Sequence, residues 1–338
     1  MFFGGIDLHS NNNRLGIIDE LGKKLYERKI PNDLIMVRKA LDPFRAELQG
    51  IVVESTYNWY WLVDGLQASG YRVHLANTTA SQQYSGLKHT DDGSDAFWLA
   101  DLLCLGLLKE GYISPPGERA VRDLLRKRGQ LVQQRSRNIL SIENLTSRNC
   151  GVALNSQGVK QLTAEEVRKT YRDENVALAV TSTLCVLECL NRQVDIVERR
   201  VKEQVKLSES YQLLNTVPGI GEILAMTVML ETGDIRRFPA VGDFSSYCRC
   251  VDSIRLSNGK KKGRGNRKNG NKYLGWAFIE AANYAIRYYP EVQRFYHRKK
   301  ARSKSVVARK AVAHKLARGS YYVLRDQMPF DIAKCFGP

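Results

Sequence analysis

Over the first quarter of the chain the apolar positions come in short runs broken by turn residues; beyond it they fall mostly at helical spacing. Residues 2–7, 14–18 and 24–30 read as strands, and the turn Asp19-Glu20-Leu21-Gly22 between the last two makes them an antiparallel meander. Residues 33–48 read as a helix capped by Asp33, with Leu34, Val37, Leu41 and Phe44 on its apolar side and Pro43 placed to kink or split it. A buried strand over 51–54, a helix over 59–67 and a strand over 71–75 follow. A polar stretch, 88–95, then runs into the apolar residues 96–100 of a further helix.

Three meander strands, then helix, strand, helix, strand and an acidic helix, is the element order of an RNase H-like fold, with Asp7 on the first strand and Glu54 on the fourth. The next region is all helix. Residues 119–148 carry apolar ladders at heptad spacing, Leu125, Val132, Ile139 and Leu124, Leu131, Leu145, the second interrupted by Asn138. A second long helix is expected over 164–207, where Val176, Val180, Leu187, Leu190, Val194, Val197 and Val201 lie mostly three and four apart in the a/d manner of a coiled coil. A hairpin within the chain and a contact between subunits explain that seam equally well. A Pro218-Gly219-Ile220-Gly221 turn opens the last third and leads into a helix over 222–230, like the hairpin of helix-hairpin-helix modules, whose free N–H groups meet a phosphate. Residues 273–288 are helical. The basic run 294–318 is expected to be largely helical, with Val306, Val307, Val312 and Leu316 inward.

With 338 residues the chain has room for two or three domains, divided here as 1–118, 119–210 and 211–330. Its net charge of +17 makes nucleic acid the default partner. The seven cysteines are scattered with no CxxC, as in a reduced, cytosolic protein, and Cys185 and Cys189 share a helical face that suits core packing better than a metal. No signal peptide and no run of membrane-spanning length is expected.

The candidate chemistry lies in acids and in a basic tract. Asp7 and Glu54 each close an apolar strand, where a carboxylate is costly to bury unless it binds something. Asp92 and Asp95, three apart, share one face of a helix start, where acids also serve as caps. Four carboxylates able to converge repel one another unless a divalent cation joins them. From 253 to 279 there is no acid, and Lys260, Lys261, Lys262, Arg264, Arg267, Lys268 and Lys272 alternate with glycines that let the backbone approach a phosphate.

Gly5-Ile6-Asp7, Val52-Val53-Glu54-Ser55, the stretch Thr90-Asp91-Asp92-Gly93-Ser94-Asp95-Ala96, the Val217–Gly221 turn and the basic tract at 263–274 stand in an order and spacing covering nearly the whole chain. Together they resemble the DEDD-type insertion-sequence transposases, the RNA-guided bridge recombinases, with their relatives the Piv-type DNA invertases. The resemblance implies a RuvC-like N-terminal domain holding Asp7, Glu54, Asp92 and Asp95 around Mg²⁺, a coiled-coil insertion, and a mainly helical C-terminal transposase domain with a nucleophilic serine. By position that serine is Ser257, with Ser253 as the alternative, and Asp91 neighbours the acidic pair. The same resemblance implies donor and target DNA and a noncoding bridge RNA as partners, a dimer assembling to a tetramer, and action at the nucleoid of a bacterial cytoplasm. Gly219, Gly221 and the basic tract are the nucleic-acid contacts expected from the residues themselves. Two other readings compete: a metal-dependent junction resolvase or nuclease on the same core, and a non-catalytic nucleic-acid-binding protein whose acids only cap helices and strands.

Overall fold

The computed structural model describes residues 1–77, 80, 94–251, 254–258, 260–264 and 269–337. It divides into two compact units, Met1–Pro116 and Gly117–Pro338.

In the first unit β1 (Phe2–Leu8), β2 (Asn12–Asp19), β3 (Lys24–Pro31), β4 (Leu48–Glu54) and β5 (Val73–Ala76) form one sheet in the order β3-β2-β1-β4-β5. The first three pair antiparallel, as the meander pattern requires, while β4 lies parallel to β1 and β5 parallel to β4. Asp33 caps α1 (Leu34–Leu41) by accepting from the N–H groups of Ile35 and Met36. The helix expected over 33–48 stops at Leu41, because Pro43 has no N–H to continue the ladder; Asp42–Phe44 is a 3-10 turn and the chain straightens into β4. α2 (Tyr60–Ala68) and α1 cover one face of the sheet, against Ile6, Leu8, Ile51 and Val53.

α3 (Ser94–Cys104) covers the other face and lies close on the strands. A Cβ added at Gly5 would stand 1.9 Å from the Ala96 carbonyl oxygen, and one at Gly16 would stand 2.9 Å from the Phe97 ring. Glycine at both positions is therefore a condition of this helix–sheet packing rather than of backbone conformation.

Among its described residues the second unit has helices and one hairpin. Its described helices are α4 (Pro116–Cys150), α5 (Ser156–Gln161), α6 (Ala164–Thr170), α7 (Glu174–Val205), α8 (Glu209–Leu214), α9 (Glu222–Thr232), α10 (Val241–Tyr247), α11 (Lys272–Tyr288), α12 (Pro290–Lys300), α13 (Ser305–Asp326) and α14 (Ile332–Phe336). α4 and α7 form an antiparallel hairpin within the chain. Ile139 and Ile142 pack with Val180 and Leu187 near the tip, and Leu125 shares the main core with Val201 and Val205 near the base. Between them Arg128 Nε donates to Glu198 Oε1 at 2.6 Å and Arg135 Nη1 to Asn191 Oδ1 at 3.3 Å. Of the two explanations for the heptad seam, the structure takes the internal one.

The single helix expected over 164–207 is two. α6 ends at Thr170, Asp173 caps a new helix by accepting from Asn175 and Val176, and between them Tyr171 is buried with its hydroxyl 2.5 Å from Thr146 Oγ1. Cys185 and Cys189 are exposed, turned away from the seam rather than into a core. The basic run also breaks, into α12 and α13. The inward stripe of α13 passes through Ala308, Val312, Leu316 and Ser320, so Val306 and Val307, expected inward, fall off it at 67% and 56% exposed.

Candidate active site

β1 and β4 pair with Gly5 opposite Val52 and Ile6 opposite Val53, and the residues next along are Asp7 and Glu54. Gly5 faces α3, and Val52 packs with Leu99 of that helix. Side chains alternate along a strand, so Asp7 and Glu54, each two residues further on, lie on the same α3-covered face at the carboxyl ends of two adjacent parallel strands. α3 runs against β4: Leu103 lies over Gly50 and Leu99 over Val52. The preceding turn carries Asp95, the acid in the first turn of α3, to the level of Glu54. Three of the four proposed acids thus share one side and one end of the sheet. Asp92 and Asp91 lie outside the described residues.

Asp7 is 5% exposed, and its Oδ2 lies 3.0 Å from His9 Nε2; Glu54 and Asp95 are partly buried. A carboxylate this buried needs a compensating cation or hydrogen-bond donors. Hard carboxylate oxygens on a partly desolvated strand end are the donors that suit Mg²⁺ or Mn²⁺. Among the described residues no three His, Cys, Asp or Glu form a group able to hold a metal by themselves. The described acids have the donor chemistry that such a site uses.

Ser257 and the basic tract belong to the second unit. The tract is an antiparallel hairpin, β6 (Ile254–Ser257) and β7 (Lys260–Arg264), with Ser257 opposite Lys260 and Asn258 in the turn at φ 51°. Ser257 stands at a strand end. The Asn258-Gly259 pair was the sequence signal for the hairpin, since two-residue hairpin turns need positive φ. Lys260, Lys262 and Lys272 are exposed; the side chains of Ser257, Lys261 and Arg264, and all of Ser253, Arg267 and Lys268, lie outside what is described.

Both ends of this segment are pinned to α10. Cys250 N–H donates to Ser245 O at 3.1 Å, and Asn271 N–H donates to Tyr247 O at 2.6 Å. Gly270 takes φ 82° where an added Cβ would stand 2.5 Å from Tyr247 O.

Beneath the second anchor lies a group that sequence reasoning missed. Glu231, 5% exposed near the end of α9, receives Arg126 Nε at 2.6 Å and Nη2 at 2.7 Å, and Asn271 Nδ2 at 2.7 Å. Asn271 in turn caps α11 by accepting from Tyr273 and Leu274, and the Arg126 guanidinium lies 4.6 Å from the Tyr273 ring centre. This node ties α4, α9 and α11 together at the foot of the hairpin. The only sequence signal was an acid near the end of a mostly apolar helix, and its partner is 105 residues away.

At the Pro-Gly-Ile-Gly turn, Gly219 has φ 78°, and an added Cβ would meet the Ala281 carbonyl oxygen at 2.1 Å, so the turn packs tightly on α11. Gly221 is exposed at the N-cap of α9 with open space where a side chain would be.

A strand-end acid pair beneath an acid-bearing helix thus stands in one chain with a basic, mainly helical unit. The comparisons name the class. A DEDD transposase profile of IS110 type matches residues 4–148, and the profile described as "Transposase IS116/IS110/IS902 family" matches residues 211–297. The transposase for insertion sequence element IS1111A of Coxiella burnetii (strain RSA 493 / Nine Mile phase I) is 25% identical over 294 residues, 84% of this chain and 78% of that protein. The transposase for insertion sequence element IS1328 of Yersinia enterocolitica is 30% identical over 93 residues, 28% of each chain.

The chain belongs to the IS110-family DEDD transposases of insertion sequences. It is a DNA transposase, an enzyme of phosphoryl transfer, and its DEDD domain implies use of a divalent metal. No described helix is long and apolar enough to cross a membrane.

Proposed function

We propose that this transposase cuts and rejoins DNA through a phosphoserine intermediate on Ser257, with Asp7, Glu54, Asp92 and Asp95 as the Mg²⁺ ligands and an element-encoded noncoding bridge RNA as the guide. The observation that carries the reading is the placement of Asp7 and Glu54 at adjacent parallel strand ends, with Asp95 above them on α3. The sheet order β3-β2-β1-β4-β5, with a meander and then two parallel additions, supports an RNase H-like, RuvC-like assignment for the first unit. Residues 119–210 then act as the coiled-coil region and 211–330 as the transposase domain.

Mg²⁺ held by the acids would polarise the phosphoryl group and orient the attacking and leaving oxygens. The chain's own groups do the rest. The Ser257 hydroxyl, weak as a nucleophile, forms a bond to phosphorus as the bond from phosphorus to the departing strand's sugar oxygen breaks. A sugar hydroxyl of the new strand reverses the step, so rejoining needs no ATP. Lys260, Lys262 and Lys272 are exposed on and beside the hairpin that carries Ser257, where they can hold the phosphates in line. Gly221, at the open N-cap of α9, offers a further backbone contact to a phosphate. The net charge of +17 supports several bound strands, donor, target and RNA, and the family resemblance supports a dimer that assembles to a tetramer and recombines DNA at the nucleoid.

The test is to trap the reaction on nicked DNA, denature, and look for a protein-linked strand. Ser257→Ala should lose the adduct and keep nucleic-acid binding. An adduct that survives Ser257→Ala and vanishes in Ser253→Ala moves the nucleophile to Ser253. Cleavage with no protein-linked strand would make the enzyme a hydrolytic nuclease.

A further inference from the structure

The exposed side of α11 carries large aromatic rings that no core or site uses. Trp276 is 45% exposed, Tyr284 52% and Tyr288 62%, on a helix whose opposite side, Leu274, Ala277, Phe278, Ala281, Ala282 and Ala285, is fully buried. In a free monomer such rings are costly to leave in water, and three on one helix form a surface built for contact. The Tyr284 and Tyr288 rings are nearly parallel, 13° between planes with centroids 6.5 Å apart, and the Arg287 guanidinium lies 5.4 Å from the centre of the Tyr288 ring. The two rings and the guanidinium therefore lie close together on the surface.

The charge around the rings selects their occupant. From 272 to 318 the chain has twelve Lys or Arg and only two acids, Glu280 and Glu291. Glu280 is partly buried on α11 between Trp276 and Tyr284, whereas Lys272, Arg287, Arg294 and Arg298 on α11 and α12 are exposed. A protein partner would have to bring many acids to so basic a face. A nucleic-acid strand brings one phosphate per nucleotide, and its bases offer flat faces to the rings. In a duplex those faces are already stacked on their neighbours and shut off from a side chain on the outside. Unpaired nucleotides satisfy both features.

We infer that the Trp276–Tyr284–Tyr288 face of α11 is a stacking platform for an unpaired stretch of nucleic acid, with Arg287, Arg294 and Arg298 neutralising its phosphates. None of the three rings belongs to the hairpin tract or to the acids, and the inference does not depend on which serine is the nucleophile. DNA opened during strand exchange and single-stranded parts of an RNA present the same chemistry.

The test uses the full chain, an oligothymidylate and an oligouridylate of about 16 nucleotides, and a duplex of the same length. In the wild type either single strand should quench the fluorescence of Trp276, isolated by comparison with Trp276→Phe, and the duplex should not. Tyr284→Leu and Tyr288→Leu, both at exposed helical positions, should each weaken single-strand binding about fivefold or more. They should leave duplex affinity and the salt slope of binding unchanged, because stacking releases no counterions. Tighter binding of one oligonucleotide assigns the platform to DNA or to RNA. Wild-type single-strand affinity in both variants overturns the inference, as does equal loss for single strand and duplex. So does unchanged Trp276 fluorescence, which remains readable in the wild type even if a variant misfolds. A change in light scattering of the variants with no change in oligonucleotide binding makes the face a protein interface and also overturns it. Failure of the transposase chemistry would show separately, as absence of the protein-linked strand with this platform intact.

Discussion

Asp7 is the most buried of the described acids proposed as ligands, with His9 Nε2 3.0 Å from its Oδ2. A side chain 5% exposed at a strand end, facing a helix that glycine allows to pack against the backbone, has little water to stabilise its charge. Asp7→Asn and Glu54→Gln remove charge with almost no change of shape. Each should abolish strand cleavage while leaving the circular dichroism spectrum and melting cooperativity of the protein intact. Full activity in Glu54→Gln would remove that residue from the metal set. Asp91→Asn should be milder than Asp92→Asn in the same cleavage assay, and the reverse would shift the ligand pair by one position.

The cysteines offer a second check at this scale. Burial pushes the Cys250 thiol up to about 12 and raises Cys248 as well, so neither has thiolate available near neutral pH. Cys185 and Cys189 are exposed on α7. Mass spectrometry after brief alkylation of the native protein should find label on Cys185 and Cys189 and none on Cys248 or Cys250, which become reactive only on unfolding. Label on Cys250 in the native state would contradict the packing of α10.

At the scale of elements, the Glu231 node decides how the hairpin's foot is held. Arg126→Met leaves a buried carboxylate without its cation and should cost about 3–5 kcal/mol in denaturant unfolding. Replacing both partners, Arg126→Met with Glu231→Leu, removes the stranded charge and should recover part of that loss. Asn271 loses one acceptor in the double variant but keeps its cap on α11. A double variant less stable than Arg126→Met alone would show that Glu231 is held by Asn271 and its surroundings rather than by Arg126. The helical hairpin of α4 and α7 adds a related expectation. Leu187 and Val194 are 6% and 2% exposed on the internal seam, so Leu187→Asp with Val194→Asp should lower helicity and the unfolding midpoint. Unchanged stability would place the seam elsewhere.

For the molecule as a whole, electrostatics should govern nucleic-acid binding. Neutralising Lys260, Lys262 and Lys272 together should weaken binding to unrelated sequences alike. It should also flatten the dependence of log affinity on log salt, by about 0.9 for each duplex phosphate that is no longer neutralised. An unchanged slope in a salt titration would show these charges to be solvated surface. Chelation of divalent metal should stop cleavage and leave that salt-dependent binding in place, because the acids and the basic tract are different groups on different units.

Much of this was legible along the chain because it is local. Strand alternation, the Asp33 cap, the interruption at Pro43 and the heptad seam all depend on neighbours within a few residues. So do the acids at strand ends, whose face follows from counting by two. Tertiary structure decided what depends on a distant partner. Whether the α7 seam closes on α4, and which helical face carrying a cysteine or valine turns inward, follow from where another element lies. Gly5 and Gly219 became packing requirements only once α3 and α11 lay against them. The Glu231 node joins residues from three helices, and the exposed rings of α11 are recognisable as a face only when its opposite side is seen buried. Periodicity tells a chain which residues share a face; the burial of one face and the exposure of another require the rest of the fold.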